Sequence, residues 1–154
     1  MYRSVHQGII WCDRRDAEPV ATRSIQPGGF DLWVSAAPEE ASGIRIALTD
    51  LQLPKAVLED ARLLVTELFA NTVRHSGLGE DERVRVRAEW SGSRLRVDVW
   101  DRPGSMAHPR VAGAIRPPTG AESGWGLYLV DRLATRWGNT PGRYWFELDL
   151  PSGT

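Results

Sequence analysis

Lysine is almost absent from this chain: among its 19 cationic residues Lys55 is the only lysine, and the others are arginines. No glycine-rich loop precedes Lys55, so the chain cannot build a P-loop, which requires the sequence Gly-Lys-Ser/Thr. A eukaryotic-type protein kinase is excluded as well, because it needs a lysine on a strand to bind the phosphates. The arginines extend over the whole chain instead of forming one basic patch, which is typical of a protein encoded by GC-rich DNA.

Cysteine and long apolar runs are also scarce. Cys12 is the only cysteine, so a disulfide within the chain and a cysteine-based zinc site are excluded. The 19 cations are balanced by 20 acids, and this balance argues against general nucleic-acid binding, which needs a basic excess. The sequence has no apolar stretch of 18 residues and no signal-peptide pattern at its start, so we expect a soluble, cytoplasmic protein without a membrane partner.

The length of 154 residues is typical of one domain. We predict an N-terminal extension over residues 1–28 and a folded domain over residues 29–151. Apolar spacing predicts helices over about 38–51, 54–76 and 126–137, and strands over about 30–34, 83–88, 94–99 and 144–150. Residues 102–124 are predicted to be a loop. This order of elements indicates an α+β fold: a two-layer α/β sandwich with a mixed, mostly antiparallel sheet and helices on one face.

The second predicted helix carries an acid and an amide on one face of an otherwise apolar segment. Glu67 and Asn71 are four residues apart, which places them about 40° from each other around a helix. Such a pair can be a solvated stripe that slightly stabilises the helix. Alternatively, the amide oxygen can bind Mg²⁺ and the carboxylate can accept a proton from a nucleophile.

The segment Glu67-Leu68-Phe69-Ala70-Asn71-Thr72-Val73-Arg74-His75-Ser76 closely resembles the N-box of the GHKL ATPases, the group that includes gyrase, histidine kinases and MutL-like proteins. The strongest resemblance is to the single-domain bacterial anti-sigma-factor serine/threonine kinases. It implies that Glu67 is the general base and that Asn71 coordinates Mg²⁺. Arg74 and His75 would then approach the phosphates, although a charged helix edge is the commoner role for residues of this kind.

A second motif follows the second hairpin strand. A strand-end aspartate such as Asp101 is often only a turn residue. The segment Asp101-Arg102-Pro103-Gly104 resembles the family's Asp-x-Gly box, with Pro103 where a glycine is expected. The resemblance implies that Asp101 accepts a hydrogen bond from the adenine amino group and that Gly104 lies beside the base.

A third motif, Gly124-Trp125-Gly126-Leu127, stands just before the last predicted helix. By itself it can be a plain loop at a helix start, or glycines that admit an anion to the helix N-terminus. In order after the other two motifs, it resembles the family's Gly-x-Gly-Leu box, which implies that Gly124, Gly126 and Leu127 lie at the phosphates. The preceding loop would be the ATP lid, with Arg110 among its basic residues.

The resemblance, which covers about residues 30–150, implies ATP and Mg²⁺ as cofactors and a homodimer as the assembly. The leading hypothesis is an anti-sigma factor that binds a sigma factor and phosphorylates a serine or threonine on a small anti-sigma-factor antagonist. One alternative is a non-catalytic, ATP-dependent protein-binding module, and a weaker one is a detached histidine-kinase catalytic domain. The seven tryptophans are predicted to serve in the core or at interfaces, with no nucleic-acid partner.

Overall fold

A computed structural model of the chain describes residues 2–6, 9–12, 22–26, 28–75, 77–79, 81–101, 125–140 and 142–151. The strands are β1 (Tyr2–His6), β2 (Ile9–Cys12), β3 (Thr22–Gln26), β4 (Gly29–Ser35), β5 (Arg83–Trp90), β6 (Arg94–Trp100), β7 (Arg136–Thr140) and β8 (Arg143–Asp149). The helices are α1 (Ala41–Thr49), α2 (Lys55–His75) and α3 (Trp125–Leu133), with a short 3₁₀ turn over Pro38–Glu40. None of the helices in the described residues is both long and apolar enough to cross a membrane.

Six of the strands form one sheet in the order β3-β4-β5-β6-β8-β7, and every neighbouring pair in it is antiparallel. The strands β1 and β2 pair with each other in a separate two-stranded sheet. The turn between β5 and β6 is tight because Gly92 adopts a left-handed φ of 93° and the Ser91 amide donates to the Arg94 carbonyl at 3.1 Å. This turn confirms the hairpin predicted around Ser91-Gly92-Ser93.

Alternation of side chains divides the sheet into two faces. In β5 the residues Val84, Val86 and Ala88 are buried, whereas the arginines between them are partly or fully exposed. The buried face packs against the helices, and α2 contacts β6 and β8 directly. A two-layer α+β architecture with helices over one face is therefore confirmed.

Four strands were not predicted from the sequence: β1, β2 and β3, which lie within residues 1–28, and β7. The last helix was predicted to continue to residue 137, but α3 ends at Leu133, and residues 136–140 form β7 at the edge of the sheet. The Thr135 amide already donates to the Glu147 carbonyl at 2.8 Å, so the chain leaves the helix to pair with β8. At the opposite edge, β3 lies within the stretch 1–28 and pairs with β4. The division into an extension and a domain itself stays a prediction.

Arginine and tryptophan side chains line the sheet face that no described helix covers. One cross-strand row consists of Trp33, Arg85, Trp100 and Arg143. The Arg85 guanidinium lies 5.6 Å from the centre of the Trp33 ring and 4.9 Å from that of Trp100, and it forms a bidentate pair with Asp31 at 2.9 and 2.6 Å. Planar guanidinium groups suit both contacts, which lysine cannot reproduce.

A second cluster on this face is centred on Asp98, which is only 5% exposed. Arg96 donates two hydrogen bonds to the Asp98 carboxylate, at 3.0 and 3.1 Å, and Arg143 donates two to its Oδ1, from Nε at 2.8 Å and from Nη2. The guanidinium of Arg96 also stacks 4.4 Å from the centre of the Trp145 ring. These contacts compensate the burial of the Asp98 charge, because a buried carboxylate is stable only when charged donors surround it.

At the edge of this face, ion pairs depress the pKa values of two acids. A hydrogen bond from Arg136, at 2.6 Å, lowers the pKa of Glu147 below its ordinary value. Asp149 has a lowered pKa because Arg94 donates to it at 2.7 Å and Arg136 adds further bonds. The arginines on this face thus have a structural role, because they form ion pairs with the acidic side chains of the neighbouring strands.

Candidate active site

Helix α2 carries the predicted catalytic pair, and its apolar stripe fixes how the helix lies on the sheet. Residues spaced at helical intervals along it are almost completely buried: Val57, Ala61, Leu64, Val65, Leu68 and Phe69. Such burial anchors the backbone of the helix on both sides of residue 67. The side chains at the edge of the stripe are therefore held in a defined position above the sheet.

Glu67 and Asn71 lie at that edge, one helical turn apart. Asn71 is 9% exposed and Glu67 is half-buried, so neither is a freely solvated side chain. Among the described residues, no hydrogen bond or ion pair involves the Glu67 carboxylate. Both oxygens of the Glu67 carboxylate can therefore accept a hydrogen bond from a substrate, a water molecule or a residue beyond those described.

The first turn of α3 completes this arrangement from the opposite side. Gly126 is buried, and a Cβ atom at this position would lie 2.8 Å from Oε2 of Glu67 and 3.6 Å from Nδ2 of Asn71. Val130, one turn later, is fully buried and anchors α3 against the rest of the core. The structure therefore brings together residues of the first and third motifs, although 59 positions separate Glu67 from Gly126 in the sequence.

Asp101 stands directly after β6 and is 8% exposed. Its backbone amide donates a hydrogen bond to the Gly142 carbonyl at 3.0 Å, which fixes the end of β6 against the start of β8. Both strands contact α2. The second motif thus places its aspartate at the end of one of the strands on which the Glu67 helix packs.

The other predicted site residues lie on α2 and α3 or outside the described residues. Arg74 and His75 are in the last turn of α2 and are exposed. Arg74 lies on the same helix face as Glu67, two turns further on. Leu127 is half-buried and packs against the core. The predictions for Gly104, Arg110 and Gly124 lie outside the described residues.

The donor set at this site suits magnesium better than zinc. Among the described residues, no group of three or more His, Cys, Asp or Glu side chains is placed to hold a metal ion. Mg²⁺ needs only one or two protein ligands when phosphates and water supply the rest, and it prefers oxygen. A single buried amide at Asn71 beside the Glu67 carboxylate fits that requirement.

One feature of the site was missed by reasoning from the sequence. The role of Gly126 at the phosphates stays a prediction, and the structure adds a second feature, since a Cβ at this position would lie 2.8 Å from the Glu67 carboxylate. A glycine near the start of a helix gives no local signal for such a contact. Only the packing of α3 on α2 reveals it.

Comparison with known proteins gives two matches for this chain. Residues 34–141 match the family described as histidine kinase-like ATPase domain. The chain is also similar to the serine-protein kinase RsbW of Bacillus pumilus (strain SAFR-032), with 30% identity over 118 residues that cover 68% of this chain and 73% of that protein. The residues that match the family model include Glu67, Asn71, Asp101 and Gly126.

Proposed function

The chain belongs to the histidine kinase-like ATPase domain family, and we propose that it is an ATP- and Mg²⁺-dependent serine/threonine protein kinase that also acts as an anti-sigma factor. Its protein substrate would be an anti-sigma-factor antagonist, and its second partner a sigma factor. The observation that carries the proposal is the juxtaposition of Glu67, Asn71 and Gly126 between α2 and α3. The relative whose name describes a serine-protein kinase supports the same reaction.

In the proposed reaction the hydroxyl oxygen of a substrate serine attacks the γ-phosphorus of ATP. The bond from the γ-phosphorus to the β,γ-bridging oxygen breaks, ADP leaves, and the hydroxyl proton passes to the Glu67 carboxylate. Mg²⁺ supplies charge neutralisation on the phosphates when it is bound. Asn71 would be its protein ligand, and Asp101 would accept a hydrogen bond from the adenine amino group.

The half-burial of Glu67 suits the role of a base. In a partly water-excluded site a carboxylate interacts more strongly with a nearby hydroxyl than it would in bulk water. The burial of Leu68 and Phe69, both 0% exposed, keeps the helix backbone from moving, so the carboxylate is pre-positioned within the reach of its side-chain rotamers. Positioning and electrostatic stabilisation together account for most of the catalysis in phosphoryl transfer.

The test is phosphate transfer from [γ-³²P]ATP to a candidate antagonist protein in the presence of Mg²⁺. We expect Glu67→Gln to lower the transfer rate by about two orders of magnitude or more, since it removes the proton acceptor and keeps the size of the side chain. Glu59→Gln is the matched control, because the Glu59 side chain lies on the same helix, is 65% exposed and has, in the described part of the chain, Lys55 at 4.0 Å as its one ion-pair partner. Equal rates for the wild type and Glu67→Gln, or no transfer at all, would refute the kinase assignment.

A non-catalytic binding module is the second candidate, and the Asp-Arg-Pro-Gly segment favours it. Proline at position 103 has no backbone N–H to donate and a fixed φ, whereas the family's motif has a glycine there. In this case ATP would bind and order the protein for a partner without being consumed. Calorimetric ATP binding together with an absence of transfer to any antagonist would support the module over the kinase.

A further inference from the structure

Gly126 occupies the second position of α3, where nothing in its backbone demands glycine. Its φ is not in the left-handed region, which in the described residues contains Gly28, Gly77, Gly92, Gly142 and Gln52. Alanine is the better residue inside a helix, because glycine loses more conformational entropy when it is ordered. The reason for a glycine at this position must therefore come from what surrounds it.

The surroundings of Gly126 are the two functional side chains of α2. A methyl group at position 126 would approach Oε2 of Glu67 to 2.8 Å, a separation that real Cβ contacts essentially never show, and would lie 3.5 Å from the Glu67 Cβ. The close atom is at the end of a flexible side chain, so the carboxylate can turn away to another rotamer. The α2 backbone cannot shift as easily, because Leu68 and Phe69 beside Glu67 are fully buried.

We propose that Gly126 is a positioning residue that holds open the space in which the Glu67 carboxylate lies. This inference rests on the proposed kinase function and assigns Gly126 a role separate from any contact with phosphate. Proton transfer requires the base to come within hydrogen-bond distance of the serine hydroxyl. A methyl group that pushes Oε2 out of its place would therefore weaken the proton-accepting step and leave ATP binding intact.

The first arm of the test compares Gly126→Ala with Gly43→Ala. Gly43 is a matched control, because it is a helical glycine in α1 and a Cβ there would meet no atom within 4 Å. We expect Gly126→Ala to lower the rate of transfer from [γ-³²P]ATP by about tenfold or more, with an ATP dissociation constant within about twofold of the wild type. Gly43→Ala should leave both values unchanged. A parallel loss of ATP affinity and transfer would overturn the inference, as would an unchanged transfer rate.

The second arm measures the contact without any activity, through the melting temperatures of Gly126→Ala, Glu67→Ala and the double variant. If Gly126 makes room for Glu67, the change in Tm caused by the alanine should be more negative with Glu67 present than in the Glu67→Ala background, where it should match the change caused by Gly43→Ala. Additive shifts in Tm would overturn this inference whatever the activity. The two arms can also disagree. If the wild type transfers no phosphate but the Tm shifts of the two substitutions are not additive, the proposed kinase function is refuted, and the contact between Gly126 and Glu67 has a structural role only.

Discussion

Replacing Arg85 by lysine tests whether the arginines on the sheet are selected by their shape or only by their charge. Arg85 donates two hydrogen bonds to Asp31 and lies between the rings of Trp33 and Trp100. A lysine keeps the positive charge but can make only one of the two directed bonds, and its ammonium group does not stack on an indole as a planar guanidinium does.

The magnitude follows from these contacts. Losing one charge-assisted hydrogen bond in a half-buried pair destabilises the protein by about 1 kcal/mol, since the Arg85 and Asp31 side chains are 32% and 26% exposed. Weakening two ring contacts, each worth about 0.5–1 kcal/mol, adds about 0.5–1 kcal/mol. We therefore expect Arg85→Lys to lower the free energy of unfolding by about 1.5–2 kcal/mol.

The assay is urea denaturation followed by tryptophan fluorescence, with Arg87→Lys as the control. Arg87 is on the same strand two residues further on, has a side chain that is 47% exposed, and pairs only with Glu89 in the described part of the chain. An exposed pair contributes little, so Arg87→Lys should change the free energy of unfolding by less than about 0.5 kcal/mol. Equal effects of the two substitutions, or a neutral Arg85→Lys, would refute the argument from guanidinium geometry.

Two further predictions concern acidity and the nucleotide. Because Arg136 lowers the pKa of Glu147 in the folded state, Glu147 contributes stability above the pKa of the unfolded chain and loses it as the pH falls through the folded pKa. The stability difference between the wild type and Glu147→Gln should thus be largest near pH 7 and shrink toward pH 3 in urea titrations; a difference that grows in acid would contradict the sign. Asp101→Asn should weaken ATP binding by about tenfold in calorimetry, because it removes the negative charge and replaces one of the two acceptor oxygens by an NH₂ donor, and GTP binding should not fall in parallel. An unchanged ATP affinity would remove Asp101 from the base site.

Much of the site could be predicted from the sequence, because the positions of its residues on a helix face or at a strand end follow from patterns within a few neighbouring residues. Four residues separate Glu67 from Asn71, and the helical period alone places them on one face. Asp101 was predicted at the end of a strand because β6 alternates polar and apolar residues up to that point. The alternation of arginine with apolar residues in β5 likewise predicted one buried face and one exposed face, which the structure confirms.

The parts that were missed depend on contacts between distant segments. A glycine at position 138 weakens the local signal for β7, yet it leaves room for the ring of Trp145 opposite, since a Cβ there would lie 2.9 Å from the ring. The strand β3 is recognisable only through its pairing with β4, although the left-handed Gly28 between them marks the turn. The contact of Gly126 with Glu67 needs the packing of two helices and has no counterpart in any local pattern.

Calorimetric titration of ATP, with and without Mg²⁺, into the wild type and Asn71→Ala tests the central claim most directly. The account predicts that the wild type binds ATP more tightly when Mg²⁺ is present and that Asn71→Ala loses most of this advantage, since its buried amide is the proposed protein ligand. A wild type that binds no ATP, or an Asn71→Ala variant that keeps the full Mg²⁺ effect, would contradict the assignment of this site.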